Sequence, residues 1–125
     1  ELYEKLARLP SVTAKAEHLD WEDIYAFYGP LQEDVKKLNH PTNVIDDVST
    51  EMLEAKWGEI IEIIKSIPPY SVCKVAMEKA GCKITVEDIG KSRKLFDDCI
   101  KYSPYMRRRL TLLRLTNMIK ETDTI

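Results

Sequence analysis

Ser49-Thr50-Glu51-Met52-Leu53-Glu54-Ala55-Lys56-Trp57-Gly58-Glu59-Ile60-Ile61-Glu62-Ile63-Ile64-Lys65-Ser66-Ile67-Pro68-Pro69 reads as one helix with both of its ends marked. Trp57, Ile60, Ile61 and Ile64 recur at three and four residues, the period of a helix and not of a strand. Ser49 offers a side-chain oxygen to the orphan N–H groups of the first turn, and Glu51 places a negative charge at the positive end of the helix dipole. Pro68-Pro69 cannot continue the hydrogen-bond ladder. The spacing predicts a helix over 50–66 whose apolar face is broad enough to lie at the centre of a core.

On the N-terminal side, Leu2, Tyr3, Leu6 and Leu9 predict a helix over 1–9 stopped by Pro10. Asp20 caps a short helix, with Asp23 completing a capping-box pattern, and Gly29-Pro30 breaks it. A further helix follows over 30–38, and Asn39-His40-Pro41-Thr42-Asn43 is a turn-rich loop. On the C-terminal side, a helix over 71–80 buries Val72, Val75, Ala76 and Cys73, and Gly81 takes the left-handed residue after it. Thr85-Val86-Glu87-Asp88 carries a capping-box pattern for a single turn ending near Gly90. Ser92 caps a helix to residue 101 with Leu95, Phe96, Cys99 and Ile100 inward. Ser103 caps the last helix, with Pro104 at its first position, running to about residue 120 before a frayed tail from Glu121. With four glycines and no Asn-Gly or Asp-Gly hairpin signal, the expected fold is all-α, an orthogonal bundle of about six or seven helices. Residues 1–125 make one domain.

An apolar fraction of 44% with 32% charged residues excludes a disordered chain. No apolar run approaches the roughly 20 residues that span a bilayer, so no membrane partner is expected and a cytoplasmic location is the default. Cys73, Cys82 and Cys99 lack metal-type spacing and read as buried free thiols, while His18 and His40 stand too far apart to found a zinc site. Charge is divided along the chain. Residues 1–70 hold 7 Lys/Arg against 14 Asp/Glu, and residues 71–120 hold 12 against 5. Pairing between the two halves within one chain is the favoured explanation.

Catalysis needs converging groups. Glu17-His18 with Asp20, Glu22 and Asp23 is the one acid–histidine cluster, and on a short capped helix it reads as a solvated first turn. Asp46-Asp47 and Asp97-Asp98 read as loop and surface pairs, and no glycine-rich phosphate loop is present. The chain alone does not read as an enzyme. The helix over 71–80, Gly81 and the segments after Thr85 give a helix-turn-helix outline, but Val86-Glu87-Asp88-Ile89-Gly90 is acidic and short where a reading helix needs Arg, Lys, Asn or Gln. Nucleic acid is therefore disfavoured as a partner. Arg107-Arg108-Arg109 fall in the first turns of the last predicted helix, where the dipole disfavours cations, and so require carboxylates, a docked domain or a bound anion. At about 100° per residue, Arg107 and Arg109 cannot share one narrow helical face. Pairing with carboxylates is favoured, and Arg107 and Arg109 are the candidates for anion binding or an interdomain contact, because guanidinium groups match phosphate oxygens bidentately.

Three pieces together resemble the C-terminal helical domain of the sn-glycerol-1-phosphate dehydrogenases, which belong with the glycerol dehydrogenase and dehydroquinate synthase-like enzymes of the iron-containing alcohol dehydrogenase type. Glu1-Leu2-Tyr3-Glu4-Lys5-Leu6 is similar to the end of the helix after that family's metal-binding histidine segment. Trp57 through Pro68, followed by Val72-Cys73-Lys74-Val75-Ala76-Met77-Glu78-Lys79-Ala80-Gly81, resembles its isoleucine-rich helix, proline and small helix ending in Ala-Gly. Ile89-Gly90, the helix around Phe96 to Tyr102, and Tyr105-Met106-Arg107-Arg108-Arg109-Leu110-Thr111-Leu112-Leu113 resemble its closing pattern of arginine, any residue, arginine, aromatic and threonine. Arg107, Arg109 and Thr111 take those positions, while Leu110 stands where the family has an aromatic and Ser103-Pro104 departs from its alanine-bearing helix start. Residues 11–48 match nothing in the pattern.

The resemblance implies a piece of a larger two-domain enzyme. The parent would reduce dihydroxyacetone phosphate with NAD(P) bound on an N-terminal domain and a divalent metal, zinc or nickel, held by an aspartate and two histidines. His18 and His40 match none of those positions, so the piece itself would hold no catalytic, cofactor or metal residue and would act as a scaffold. A start inside a helix without Met fits such a fragment. Its implied partners are the N-terminal domain of the same protein and, to cover exposed apolar surface, a second copy in a homodimer. The alternative is a stand-alone helical module that recruits protein or nucleic acid.

Overall fold

Helix α4 (Thr50–Lys65) is the axis of the main core in this computed structural model, which describes residues 2–120. Its Leu53, Trp57, Ile61 and Ile64 are buried, one turn apart along a single face, and the Ser49 hydroxyl accepts from the Met52 N–H at 3.0 Å. Two short segments from opposite ends of the sequence cover that face. Leu6 comes from α1 (Leu2–Leu6), and Leu115, Met118 and Ile119 come from α7 (Leu112–Leu115) and the turn after it. The Trp57 indole N–H donates to the Leu9 carbonyl at 2.9 Å, tying the end of the first segment to the axis. Between them, residues 13–15 and 118–120 run antiparallel, with Lys15 N–H to Met118 O at 2.7 Å, Lys120 N–H to Thr13 O at 3.1 Å and a bridge at Ala14–Ile119.

A second, smaller core is aromatic. Helices α2 (Trp21–Tyr28) and α3 (Gln32–Asn39) form a hairpin over a 3-10 turn at Gly29–Leu31, and Ile24 and Val35 pack with Tyr102 and Tyr105. The buried Asn39 amide donates to Val35 O at 2.8 Å and to Tyr105 O at 2.9 Å, so a polar group deep in the hairpin is satisfied by both sides. Helices α5 (Tyr70–Lys79) and α6 (Arg93–Tyr102) complete the chain. Among the described residues there is no strand, and the chain is all-α. Five helices reach eight residues or more, fewer than the six or seven expected, and α1 and α7 are single short turns of five and four residues.

Several sequence expectations are corrected. The helix over 104–120 does not form: a 3-10 turn at Ser103–Tyr105 gives way to bends at 106–108, and helix resumes only for Leu112–Leu115. Pro104 suits the tight turn, but Ser103 makes no cap, and the antiparallel pairing at 118–120 draws that backbone out of a helix. Val72, Cys73, Val75 and Ala76 do not face a core, since α5 buries none of its residues. In α6, Leu95, Phe96, Cys99 and Ile100 are exposed and Tyr102 alone is buried. The three cysteines are likewise exposed, not buried thiols. The amphipathic period in α5 and α6 is real, but among the described residues no second layer lies against it. The first helix ends at Leu6, short of Leu9. Glu1 and the tail from Glu121 lie outside the described residues.

Candidate functional site

The site begins with a charge inside an apolar run. Leu112-Leu113-Arg114-Leu115 sets an arginine among leucines, and Arg114 is fully buried. Thr111 starts that turn by accepting the Arg114 N–H at 3.2 Å. The guanidinium then meets Glu17 in a two-pronged pair, Nε to Oε1 at 2.6 Å and Nη2 to Oε2 at 2.8 Å, with the Glu17 side chain only 6% exposed. Nη2 also donates to Asn43 Oδ1 at 3.1 Å, and the guanidinium lies over the Tyr105 ring, 4.5 Å from its centroid. Asn117 donates to Glu17 Oε1 at 3.2 Å and to the Tyr105 hydroxyl at 2.9 Å. Burial, followed by the nearby Glu17 charge, pushes the Tyr105 hydroxyl up to about 12, so it stays protonated. Arg114 Nη1 is buried without a hydrogen-bond partner.

Two open clefts flank the segment from Glu17 to Leu19. One, of about 640 Å³, is lined by Glu17, His18, Trp21, His40, Asn43 and Asp46 among others. The other, of about 510 Å³, is lined by His18, Asp20, Asp23, Lys101, Tyr102 and Asn117 among others. In the second, the Tyr102 hydroxyl donates to Asp23 while Lys101 Nζ donates to Asp23 at 2.9 Å and to Tyr102 at 2.8 Å. The hydrogen bond from Tyr102, then that from Lys101, holds the Asp23 carboxyl below the ordinary carboxylate range. The same contacts, Tyr102 first and Asp23 next, raise Lys101.

Because the Asp23 pKa is lower folded than unfolded, this link stabilises the fold above the unfolded value and loses its effect as pH falls through the folded one. NMR chemical shifts of the Tyr102 and Lys101 side chains are therefore expected to hold steady down to pH values below 3.8 and to change together as Asp23 protonates. Independent titrations of the two groups would contradict the link.

The acid–histidine cluster disperses in three dimensions. Glu17 turns inward to Arg114, Asp20 caps α2 through the Asp23 N–H at 3.0 Å, and Asp23 turns to α6. Its carboxylate therefore does not complete the expected capping box. Trp21 packs edge-on against His40 at 4.5 Å, so His40 belongs to the aromatic core's rim. The halves of the chain meet as charge predicted, through Asp23–Lys101 and Glu17–Arg114. Arg107, Arg108 and Arg109 do not take part: among the described residues no carboxylate pairs with them, and Arg108 instead donates to Thr42 Oγ1 at 2.7 Å. Sequence reasoning missed Arg114, Asn43, Asn117 and the Lys101–Tyr102 pair. The signal for Arg114 was present, since a lone cation in a core-facing apolar run must bring a carboxylate with it. Compared with protein-family profiles, curated proteins and solved structures, the chain matches none.

Proposed function

We propose that this chain is the C-terminal helical domain of a metal- and NAD(P)-dependent oxidoreductase similar to the sn-glycerol-1-phosphate dehydrogenases, serving as scaffold and docking surface for the part that carries the chemistry. The observation that carries this reading is the face of α5 and α6. From residue 65 to residue 101 no side chain is buried, and Val72, Val75, Met77, Leu95, Phe96 and Ile100 stand exposed. Two amphipathic helices presenting that much apolar surface need cover. A cofactor-binding domain of the same protein is the occupant this reading supplies. Two pieces of the family pattern coincide with helices, the isoleucine-rich run with α4 and the run to Ala80-Gly81 with α5, where Gly81 has φ 73°, while the closing piece over 105–113 does not form the helix it implies.

The residues present do not fit the implied metal or nucleotide. Among the described residues no three His, Cys, Asp or Glu side chains converge on a common point, and the four glycines include no phosphate-cradling loop. No step of hydride transfer is assigned to them.

The test is an assay of the gene product extended by a cofactor domain, with dihydroxyacetone phosphate, NADH or NADPH, and zinc or nickel. Turnover is expected from the extended protein and none from the 125-residue chain. Val75→Ser combined with Phe96→Ser is expected to lower the activity of the extended protein. In the isolated chain it should shift unfolding stability by no more than about 0.5 kcal/mol per site, because both side chains are already exposed. Activity in neither form removes the dehydrogenase reading. The second reading then stands, a helical module that recruits another protein through the same apolar face.

A further inference from the structure

We propose that the groove carrying Arg107 and Arg109 binds the phosphoryl group of a small phosphate monoester. On a helix the two side chains would diverge, but this segment is not a helix. The Arg109 N–H closes a three-residue turn onto the Arg107 carbonyl at 2.8 Å, and both residues line one groove of about 330 Å³ with Tyr3, Ser103, Met106 and Leu113. Arg108 is sent elsewhere, to Thr42, and that contact fixes the turn against the loop after α3. All three arginines line a neighbouring groove of about 380 Å³ against Leu38 and Met106.

Three successive cations, none of them ion-paired among the described residues, mark the place. Lys36, Lys37, Lys56, Lys65, Arg93 and Lys94 each pair with a carboxylate on their own helix. Among the described residues no carboxylate lines either arginine groove, in a chain whose acids outnumber its bases. Two guanidinium groups on one turn, with no counter-ion among the described residues, present forked donors of the kind that a phosphate dianion accepts best. The Tyr3 hydroxyl adds a donor, and Pro104, Met106 and Leu113 add an apolar wall for the body of an ester. Phosphate binding here is independent of the dehydrogenase reading, since it depends only on these side chains.

Orthophosphate titrated into the chain at constant ionic strength, followed through the arginine Nε–H signals by NMR, tests this. A saturable shift of Arg107 and Arg109 is expected, and Arg107→Lys with Arg109→Lys should weaken binding at least about tenfold by keeping charge but losing the fork. Arg93→Ala, which removes a cation outside both grooves, should change affinity by no more than about twofold. Phenyl phosphate binding tighter than orthophosphate would identify an ester whose body uses the apolar wall, and equal binding would identify free phosphate. A non-saturating response, one that chloride reproduces at equal ionic strength, or wild-type affinity in the double lysine variant would overturn the site.

Discussion

Arg114→Met is expected to lower the stability of the chain by about 3–5 kcal/mol, because it leaves the Glu17 carboxylate buried with no cation opposite. Against a typical total of about 5–15 kcal/mol, that is a large share of the folding free energy. The cost arises from stranding one partner and not from the worth of the pair. Both charges gave up water to enter the interior, and Nη1 still lacks an acceptor there. Glu17→Gln with Arg114→Met should therefore recover much of the loss, since a neutral amide can keep the Asn117 and Tyr105 neighbourhood without an ion to desolvate. Urea unfolding of the wild type, both single variants and the double variant closes the cycle. A single-variant cost below about 1 kcal/mol would mean that Glu17 finds water or another cation when Arg114 is gone.

Trp57→Ala is the second large effect, expected at about 3–5 kcal/mol. Trp57 is 1% exposed on the central face of α4, where Leu6, Leu115 and Ile119 from opposite ends of the chain converge, so its removal opens a cavity that two separate segments would have to fill. It also deprives the Leu9 carbonyl of the indole N–H. Trp57→Phe separates the two contributions: it keeps most of the apolar contact and loses the hydrogen bond, for an expected cost of about 1–2 kcal/mol. A fall in the urea midpoint at unchanged slope is the expected signature. Equal losses for Ala and Phe would assign the effect to the hydrogen bond and not to packing.

What was legible in the sequence follows a physical line between near and far. The cap at Ser49, the cap at Ser92 and the left-handed Gly81 each involve residues within five positions of one another, and each forms as the residue types require. Thr85 and Asp88 exchange both capping-box bonds at 3.1 Å, although the turn they start never becomes a helix. The candidate site is the opposite case. Glu17 and Arg114 are 97 residues apart, Asp23 and Lys101 78, and Arg108 and Thr42 66. None of these pairs leaves a mark in local spacing.

The sequence by itself determined that this chain is all-α, that α4 is its central helix, and where most turns begin and end, because helix period, capping and proline act over one or two turns. Only the tertiary structure decided the rest. It broke the last helix so that residues 118–120 could pair with 13–15, turned Arg107 and Arg109 into one groove, and buried Arg114 on Glu17. It also left α5 and α6 uncovered although their period is amphipathic, because a period states which face can be buried and cannot state whether anything lies against it.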